Sequence, residues 1–158
     1  MPIKWQAFRI ICVFQILLSS FFALRSFPGV FTHFSFGGIA RPLLFLLMLS
    51  LAIMAVTILS RNYPESPLEG SQKKNFNRLF IANFLFLAVH FGIMFSEYRD
   101  LKTPDAYSNN ALSLRFWLPF INYAIMLIFQ FIILTGLYFL RVELYENFMQ
   151  KKFEFERD

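Results

Sequence analysis

Cysteine is almost absent from this chain of 158 residues, and Cys12 is its single representative. One thiol cannot form an internal disulfide, a redox pair of the CxxC type or a four-cysteine zinc site. Because Cys12 lies within an apolar run, we expect it to be a small buried hydrophobic side chain. Thiol redox chemistry within the chain and a disulfide-stabilised scaffold are therefore excluded.

Charged residues are also scarce. They make up 16% of the sequence, whereas a soluble domain carries about 25%. Hydrophobic residues account for 57%, and the mean hydropathy is +0.52. The apolar residues are concentrated in blocks, which a single buried core does not require. These features exclude a disordered chain and an ordinary soluble enzyme, and they predict an integral membrane protein.

Four apolar blocks are long enough to be spanning helices, since about 20 apolar residues cross a hydrocarbon core about 30 Å thick. In lipid, a helix satisfies all of its backbone hydrogen bonds within one segment. We therefore predict an all-α, polytopic membrane protein with four transmembrane helices in an antiparallel bundle. The predicted spans of this single domain are residues 7–24, 42–60, 79–96 and 116–140.

Basic residues are unevenly distributed between the two sides of these spans. Ten Lys and Arg residues lie at the N-terminus, in the second connection and in the tail, against five in the first and third connections. The positive-inside rule therefore predicts a multi-pass protein of the cell (inner, cytoplasmic) membrane with both termini in the cytoplasm. The net charge of +5 arises at span ends, where it faces lipid headgroups, so we expect no nucleic-acid binding.

Polar residues at membrane depth are the first candidates for function. His90 lies near the middle of the third span, and Gln15 and Gln130 lie at similar depth. We expect these three residues to form a midplane polar layer that joins helices by hydrogen bonds. The alternative is that His90 binds a ligand, a metal or a proton. Additional polar groups in or near the spans include Ser19, Asn83 and Thr135.

Catalytic and cofactor sites find little support in the sequence. The motifs HExxH, GxSxG, GxxxxGK[ST] and CxxC are all missing. Haem held by two histidines would pair His90 with His33, which lies about half a bilayer away in the first connection. Glu97, Asp100 and Asp105 could bind a cation, but a solvated loop is the expected interpretation. We therefore expect no enzymatic activity, no metal and no cofactor.

The C-terminal tail, residues 141–158, is predicted to continue the fourth helix as an amphipathic cytoplasmic extension. An apolar stripe outside the bilayer has to be buried somewhere. The stripe could lie against the second connection or the lipid surface, or it could dock a membrane or cytoplasmic protein partner. The candidate docking residues are Tyr145, Phe148, Met149 and Phe153 of the tail, with Lys73, Lys74 and Arg78 of the second connection.

The second connection reads SRNYPESPLEGSQKKNFNRL from Ser60 onward. A serine–basic–asparagine–proline turn and a later asparagine with a basic–leucine pair are formed by Ser60, Arg61, Asn62, Pro64, Asn77, Arg78 and Leu79. This pattern resembles one in the YoaS-like bacterial family of small four-helix membrane proteins. The resemblance implies four spans with both termini inside and no known reaction. It also implies a signalling or regulatory role, because a helix-turn-helix regulator is commonly encoded beside family members.

Taken together, these features predict a small integral membrane protein without catalytic machinery. Its expected role is that of an accessory, structural or regulatory subunit surrounded by the lipid bilayer. The alternative is a small homo-oligomeric carrier or channel, whose polar route across the membrane would be lined by Gln15, His90 and Gln130. An enzyme that acts on lipid is the third reading.

Overall fold

The computed structural model describes residues 1–32, 36–101 and 114–156. In these ranges the ordered secondary structure is entirely α-helical, which confirms the all-α prediction. The four helices are α1 (Ile3–Thr32), α2 (Phe36–Arg61), α3 (Gly70–Leu101) and α4 (Leu114–Phe155).

Three of the helices contain segments long and apolar enough to cross a membrane: Ile3–Pro28, Pro42–Arg61 and Ala124–Phe155. Their outward faces carry large apolar side chains such as Leu17, which is 64% exposed, and Phe131, which is 62% exposed. Apolar surface on this scale is unfavourable in water and favourable in lipid. The sequence prediction of membrane-type helices is therefore confirmed for these three segments.

The helices extend beyond the predicted spans because a span is limited by the hydrocarbon, whereas a helix continues as long as its backbone hydrogen bonds do. The first connection was expected from Arg25 to Arg41, yet residues 25–32 and 36–41 are helical. Pro28 lies inside α1 and Pro42 lies seven residues into α2. Neighbouring helices make such prolines tolerable in membrane helices.

Some expectations fall outside the described part of the chain. His33 and Asp105 belong to the undescribed stretches 33–35 and 102–113. The side chains of Glu97, Arg99 and Asp100 are likewise outside the description. The cation-binding and haem alternatives for these residues therefore stay predictions from the sequence.

Two clusters of buried side chains hold the helices together. The larger includes Cys12 of α1, Leu51 of α2 and Leu137 of α4, all fully buried. The smaller includes Leu44 and Met48 of α2 with Ala23 of α1 and Met126 of α4. Burial of Cys12 agrees with its expected role as a small hydrophobic side chain.

The connection between α2 and α3 is compact. The backbone N–H groups of Glu65 and Ser66 donate to the Asn62 carbonyl oxygen at 3.0 and 2.8 Å. The Asn62 and Gln72 side-chain amides exchange two hydrogen bonds, at 3.3 and 2.8 Å. Gly70 has a φ of +51°, a conformation that glycine adopts without steric cost, and α3 begins there. The turn consequently holds Tyr63 beside α4.

Candidate functional site

Three separate segments meet at the carboxylate of Glu143 on α4. Lys4 Nζ lies 2.5 Å from Glu143 Oε2, and Trp5 Nε1 donates a hydrogen bond to Oε1 at 2.8 Å. The hydroxyl of Tyr63, from the turn after α2, donates to the same Oε1 at 3.2 Å. We call Lys4, Trp5, Tyr63 and Glu143 the Glu143 cluster. It joins the first turn of α1, the α2–α3 connection and α4.

The Glu143 cluster is half-buried, and its hydrogen bonds contribute more to stability than its ion pair does. The Lys4 side chain is 63% exposed and that of Glu143 is 22% exposed. Water therefore screens their attraction, and exposed ion pairs contribute little to stability. Trp5, in contrast, is only 5% exposed, and its ring packs edge-on against Phe8 at 5.7 Å. Loss of the acceptor would leave a buried indole N–H without a partner.

Electrostatics in the cluster act on the Tyr63 phenol. Burial raises the pKa of Tyr63, and the negative charge of Glu143 and the hydrogen bond to it raise it further. Each cause disfavours the phenolate, since the phenolate would lose hydration and would be repelled by the carboxylate. Tyr63 is therefore a persistent donor to Glu143.

The extension of α4 lies against the α2–α3 connection. The Asn147 side-chain amide donates to the Pro64 carbonyl oxygen at 2.8 Å, and Lys151 forms an ion pair with Glu65. Two residues before Glu143, Arg141 Nη1 donates to Asn77 Oδ1 of α3 at 3.1 Å. Packing of the tail against the second connection was one of the two alternatives open from the sequence.

In the extension of α4, the side chain of Leu144 is fully buried. The predicted stripe is instead largely outward: Tyr145 is 58% exposed and Phe153 is 61% exposed. Leu144 could have been found, because Leu137, Leu140 and Leu144 continue a spacing of three and four residues along α4. The remaining candidates are Phe148, Lys73, Lys74 and Arg78, which are exposed, and Met149, which is half-buried.

Buried amide side chains form a second group, nearer the middle of the helices. Gln15 and Gln130 are fully buried, and Asn83 is 1% exposed. Gln130 Nε2 donates to Asn83 Oδ1 at 2.5 Å, which joins α4 to α3. Gln15 Nε2 donates to Ser19 Oγ, one turn along α1, at 3.1 Å. Asn83, which the sequence interpretation ranked below His90, therefore makes a hydrogen bond between two helices.

His90 is buried, with 1% exposed, but it lies at a different level. It follows Asn83 by seven residues, which corresponds to about 10 Å along the helix. Its Nδ1 is 2.8 Å from the Phe86 carbonyl oxygen of its own helix. A carbonyl oxygen can only accept, so this contact assigns the proton to Nδ1.

Two acceptor atoms in this group have no hydrogen-bond partner among the described residues: Gln15 Oε1 and Gln130 Oε1. The orientation of the Gln130 amide is fixed, because its nitrogen faces Asn83 Oδ1 while Asn83 Nδ2 donates to the Leu79 carbonyl oxygen at 2.8 Å. Each unpaired buried acceptor costs about 1–3 kcal/mol. A hydrogen-bond donor reaching this level would therefore be favourably bound.

Within the described ranges, no group of three or more His, Cys, Asp or Glu side chains could hold a metal ion. Comparisons with known proteins add no further assignment. No protein-family model matches the chain, and neither a curated protein nor a solved structure matches it. The resemblance to the YoaS-like family stays a prediction.

Proposed function

We propose that the chain is a four-span membrane protein of the inner membrane with both termini in the cytoplasm. In this proposal α3 crosses the membrane in addition to α1, α2 and α4. Contacts between α1 and α4 support antiparallel helices, because they run in opposite directions along the two: Phe8 packs at Gly136, and the ring centroid of Phe14, later in α1, lies 5.6 Å from that of Phe129, earlier in α4. Exposed apolar side chains along α3, among them Phe84 at 58%, favour a lipid environment for that helix as well.

The proposed role is that of an accessory subunit that presents a fixed cytoplasmic surface to a protein partner. The observation that carries this proposal is the set of three hydrogen bonds to Glu143, which ties the N-terminus, the α2–α3 connection and α4 into one body. A surface ordered before binding loses less conformational entropy when a partner docks.

The chemistry of the partner follows from the side chains at this end. Lys74 and Arg78 are exposed, and a spacing of four residues puts them on one face of α3. Tyr145 and Phe153 are exposed aromatic residues on the α4 extension. Basic and aromatic residues together suit a partner surface that is acidic with apolar patches, and they also suit the membrane interface. We assign the basic face of α3 to the partner.

A carrier or channel is the second candidate, and the unpaired oxygens of Gln15 and Gln130 favour it. Phe14 precedes Gln15 and Phe129 precedes Gln130, and the rings of these two phenylalanines are in contact. This contact supports a similar depth for the two acceptors. A proton-coupled carrier, however, normally uses titratable groups at membrane depth. His90 stands about 10 Å along α3 from Asn83, the hydrogen-bond partner of Gln130.

Site-specific photocrosslinking in native membranes distinguishes the two roles. A benzophenone amino acid is placed at Lys74 and at Phe153, and at Phe84 as a control that faces lipid in the middle of α3. An accessory subunit gives one discrete heteromeric adduct from positions 74 and 153 and none from 84. This adduct should weaken when Lys73→Glu and Arg78→Glu are introduced together. Homomeric adducts alone, formed from position 84 as well, would contradict the proposal and support an oligomeric carrier.

A further inference from the structure

A groove of about 720 Å³ runs along the junction of α1 and α4, on the lateral surface of the described helices. Its apolar part is lined by Ile11 of α1 and by Phe131, Ile132 and Phe139 of α4. One end carries the charged side chains Lys4, Glu143 and Glu146. The volume lies within the range of small-molecule sites, about 300–1,000 Å³.

Beside the groove, α1 approaches α4 closely at Gly136. The Phe8 ring fills the space beside Gly136, where an added Cβ would stand 2.2 Å from Phe8 Cε2. Next to this contact, Phe131 is 62% exposed, Phe139 is 59% exposed and Ile132 is 38% exposed. The groove therefore opens sideways, toward the position of lipid chains.

The length of the groove corresponds to the thickness of one bilayer leaflet. Phe131 and Glu146 are fifteen residues apart on one helix, which is about 22 Å. Half of a hydrocarbon core of about 30 Å plus one headgroup layer of about 5–7 Å gives nearly the same length. The apolar end then reaches the bilayer centre while the charged end lies among the headgroups.

The charged side chains at one end of the groove, which we call its mouth, determine which lipid headgroup is favoured. Two carboxylates, of Glu143 and Glu146, stand beside one ammonium, of Lys4. The mouth is therefore net negative, which disfavours an anionic headgroup and favours one that carries its own ammonium. Glu146 is exposed on α4, whereas Glu143 is already engaged by Lys4 and Trp5. A headgroup ammonium would consequently meet Glu146, and its phosphate would meet Lys4.

We propose that this groove binds one phospholipid with a phosphoethanolamine-type headgroup, taken from the leaflet at the Glu143 end. The lipid's ammonium pairs with Glu146, its phosphate with Lys4, and one acyl chain lies along Ile132 and Phe139. The proposal is independent of partner docking. A second copy of the chain is a poorer occupant, because it would bring the same net negative mouth against this one.

The test is native mass spectrometry of the full chain in mild detergent. The protein is equilibrated with equal amounts of phosphatidylethanolamine, phosphatidylglycerol and phosphatidylcholine that share the same acyl chains. We expect one dominant phosphatidylethanolamine adduct per chain. Ile132→Trp, which fills the groove, should lower that adduct about tenfold or more, since each 1.4 kcal/mol is a factor of ten. Ile128→Trp, one turn away on α4 and outside the groove, should leave it unchanged.

The headgroup contact is tested separately at exposed positions, where substitutions are expected to change stability little. Glu146→Gln should lower the ratio of phosphatidylethanolamine to phosphatidylglycerol about threefold, the size expected for one exposed ion pair. Glu154→Gln, on the same helix but outside the mouth, should not change the ratio. Equal retention of all three lipids by the unmodified chain overturns the proposal. So does a lipid-free dimer that Ile132→Trp dissociates, because a second copy would then occupy the groove.

Discussion

The carboxylate of Glu143 accepts a hydrogen bond from the indole of Trp5 at 2.8 Å, although 138 residues separate them in the chain. Trp5 belongs to the first turns of α1, and Glu143 lies in the extension of α4. Since Tyr63 donates to the same oxygen, one side chain orients three segments. This makes Glu143 the position at which substitution should have the largest effect on the order of this end.

Glu143→Ala should destabilise the protein by about 2–3 kcal/mol, because it leaves the buried Trp5 N–H without an acceptor. Thermal unfolding in detergent, followed by tryptophan fluorescence, measures the effect. Glu146→Ala, one turn along α4 on an exposed position, should stay within about 0.5 kcal/mol of the unmodified chain. Equal stability of the two variants would mean that the cluster does not order this end.

The raised pKa of Tyr63 predicts a pH dependence with a definite sign. Its phenol is neutral below the ordinary tyrosine value of about 10, so the stabilising effect is complete there. The effect is lost as the pH rises through the higher pKa of the folded state. Tyr63→Phe should therefore lose less stability in alkali than the unmodified chain.

The same pKa can be measured directly by the ultraviolet absorbance of tyrosinate. Subtracting the titration of Tyr63→Phe from that of the unmodified chain isolates Tyr63. Glu143→Gln removes the negative charge that opposes the phenolate, so it should move this difference curve to lower pH. If the difference curve does not move, burial alone raises the pKa of Tyr63.

Gly136→Ala should be destabilising even though alanine is the better helix former. The added Cβ would stand 2.2 Å from the Phe8 ring, and overpacking of this kind costs about 1–3 kcal/mol. Gly92→Ala is the matched control, because nothing lies within 4 Å of its added Cβ. That variant should be neutral or more stable by up to about 1 kcal/mol. Phe8→Leu, combined with Gly136→Ala, should restore part of the loss.

Much of the helical architecture could be predicted from the sequence, because lipid allows so few alternatives. Blocks of about 20 apolar residues have to be helical in a bilayer, and three of the four were found in helices apolar enough to cross it. Helix ends were predicted less well. The aromatic and glycine-containing stretch from Arg25 to Arg41 resembles a loop in composition, yet both of its described parts are helical.

The Glu143 cluster could not be predicted, because it depends on three segments that are distant in the chain. Nothing local distinguishes Glu143 from Glu146, which is exposed one turn later. The pairing of Gln130 with Asn83 could not be predicted for a similar reason, since depth along a helix does not give its rotation. Asn62 and Asn77, two positions of the YoaS-like pattern, do make structural contacts, to Gln72 and Arg141.

The buried amides give a prediction that depends on pairing. Gln130→Leu should cost about 0.6–2 kcal/mol, since it removes a hydrogen bond between membrane helices and leaves Asn83 Oδ1 unpaired. Adding Asn83→Leu should recover much of this loss, because both polar groups are then gone. The double-mutant cycle, measured by unfolding in detergent, gives the coupling between the two residues. Simple additivity would show that the Gln130–Asn83 bond does not join α3 to α4.

The proposed topology predicts which added thiols react from outside the cell. Arg25→Cys and Asn109→Cys, in the first and third predicted connections, should react with a membrane-impermeant maleimide in intact cells. Ser71→Cys, exposed in the first turn of α3, should react only after permeabilisation. The unmodified chain is the blank, since Cys12 is fully buried. Because Ser71 and Asn109 lie on either side of α3, opposite labelling of the two requires α3 to cross the membrane. The same result for the two residues in intact cells, whether both are protected or both are labelled, would mean that α3 does not cross the membrane and would reduce the chain to three spans.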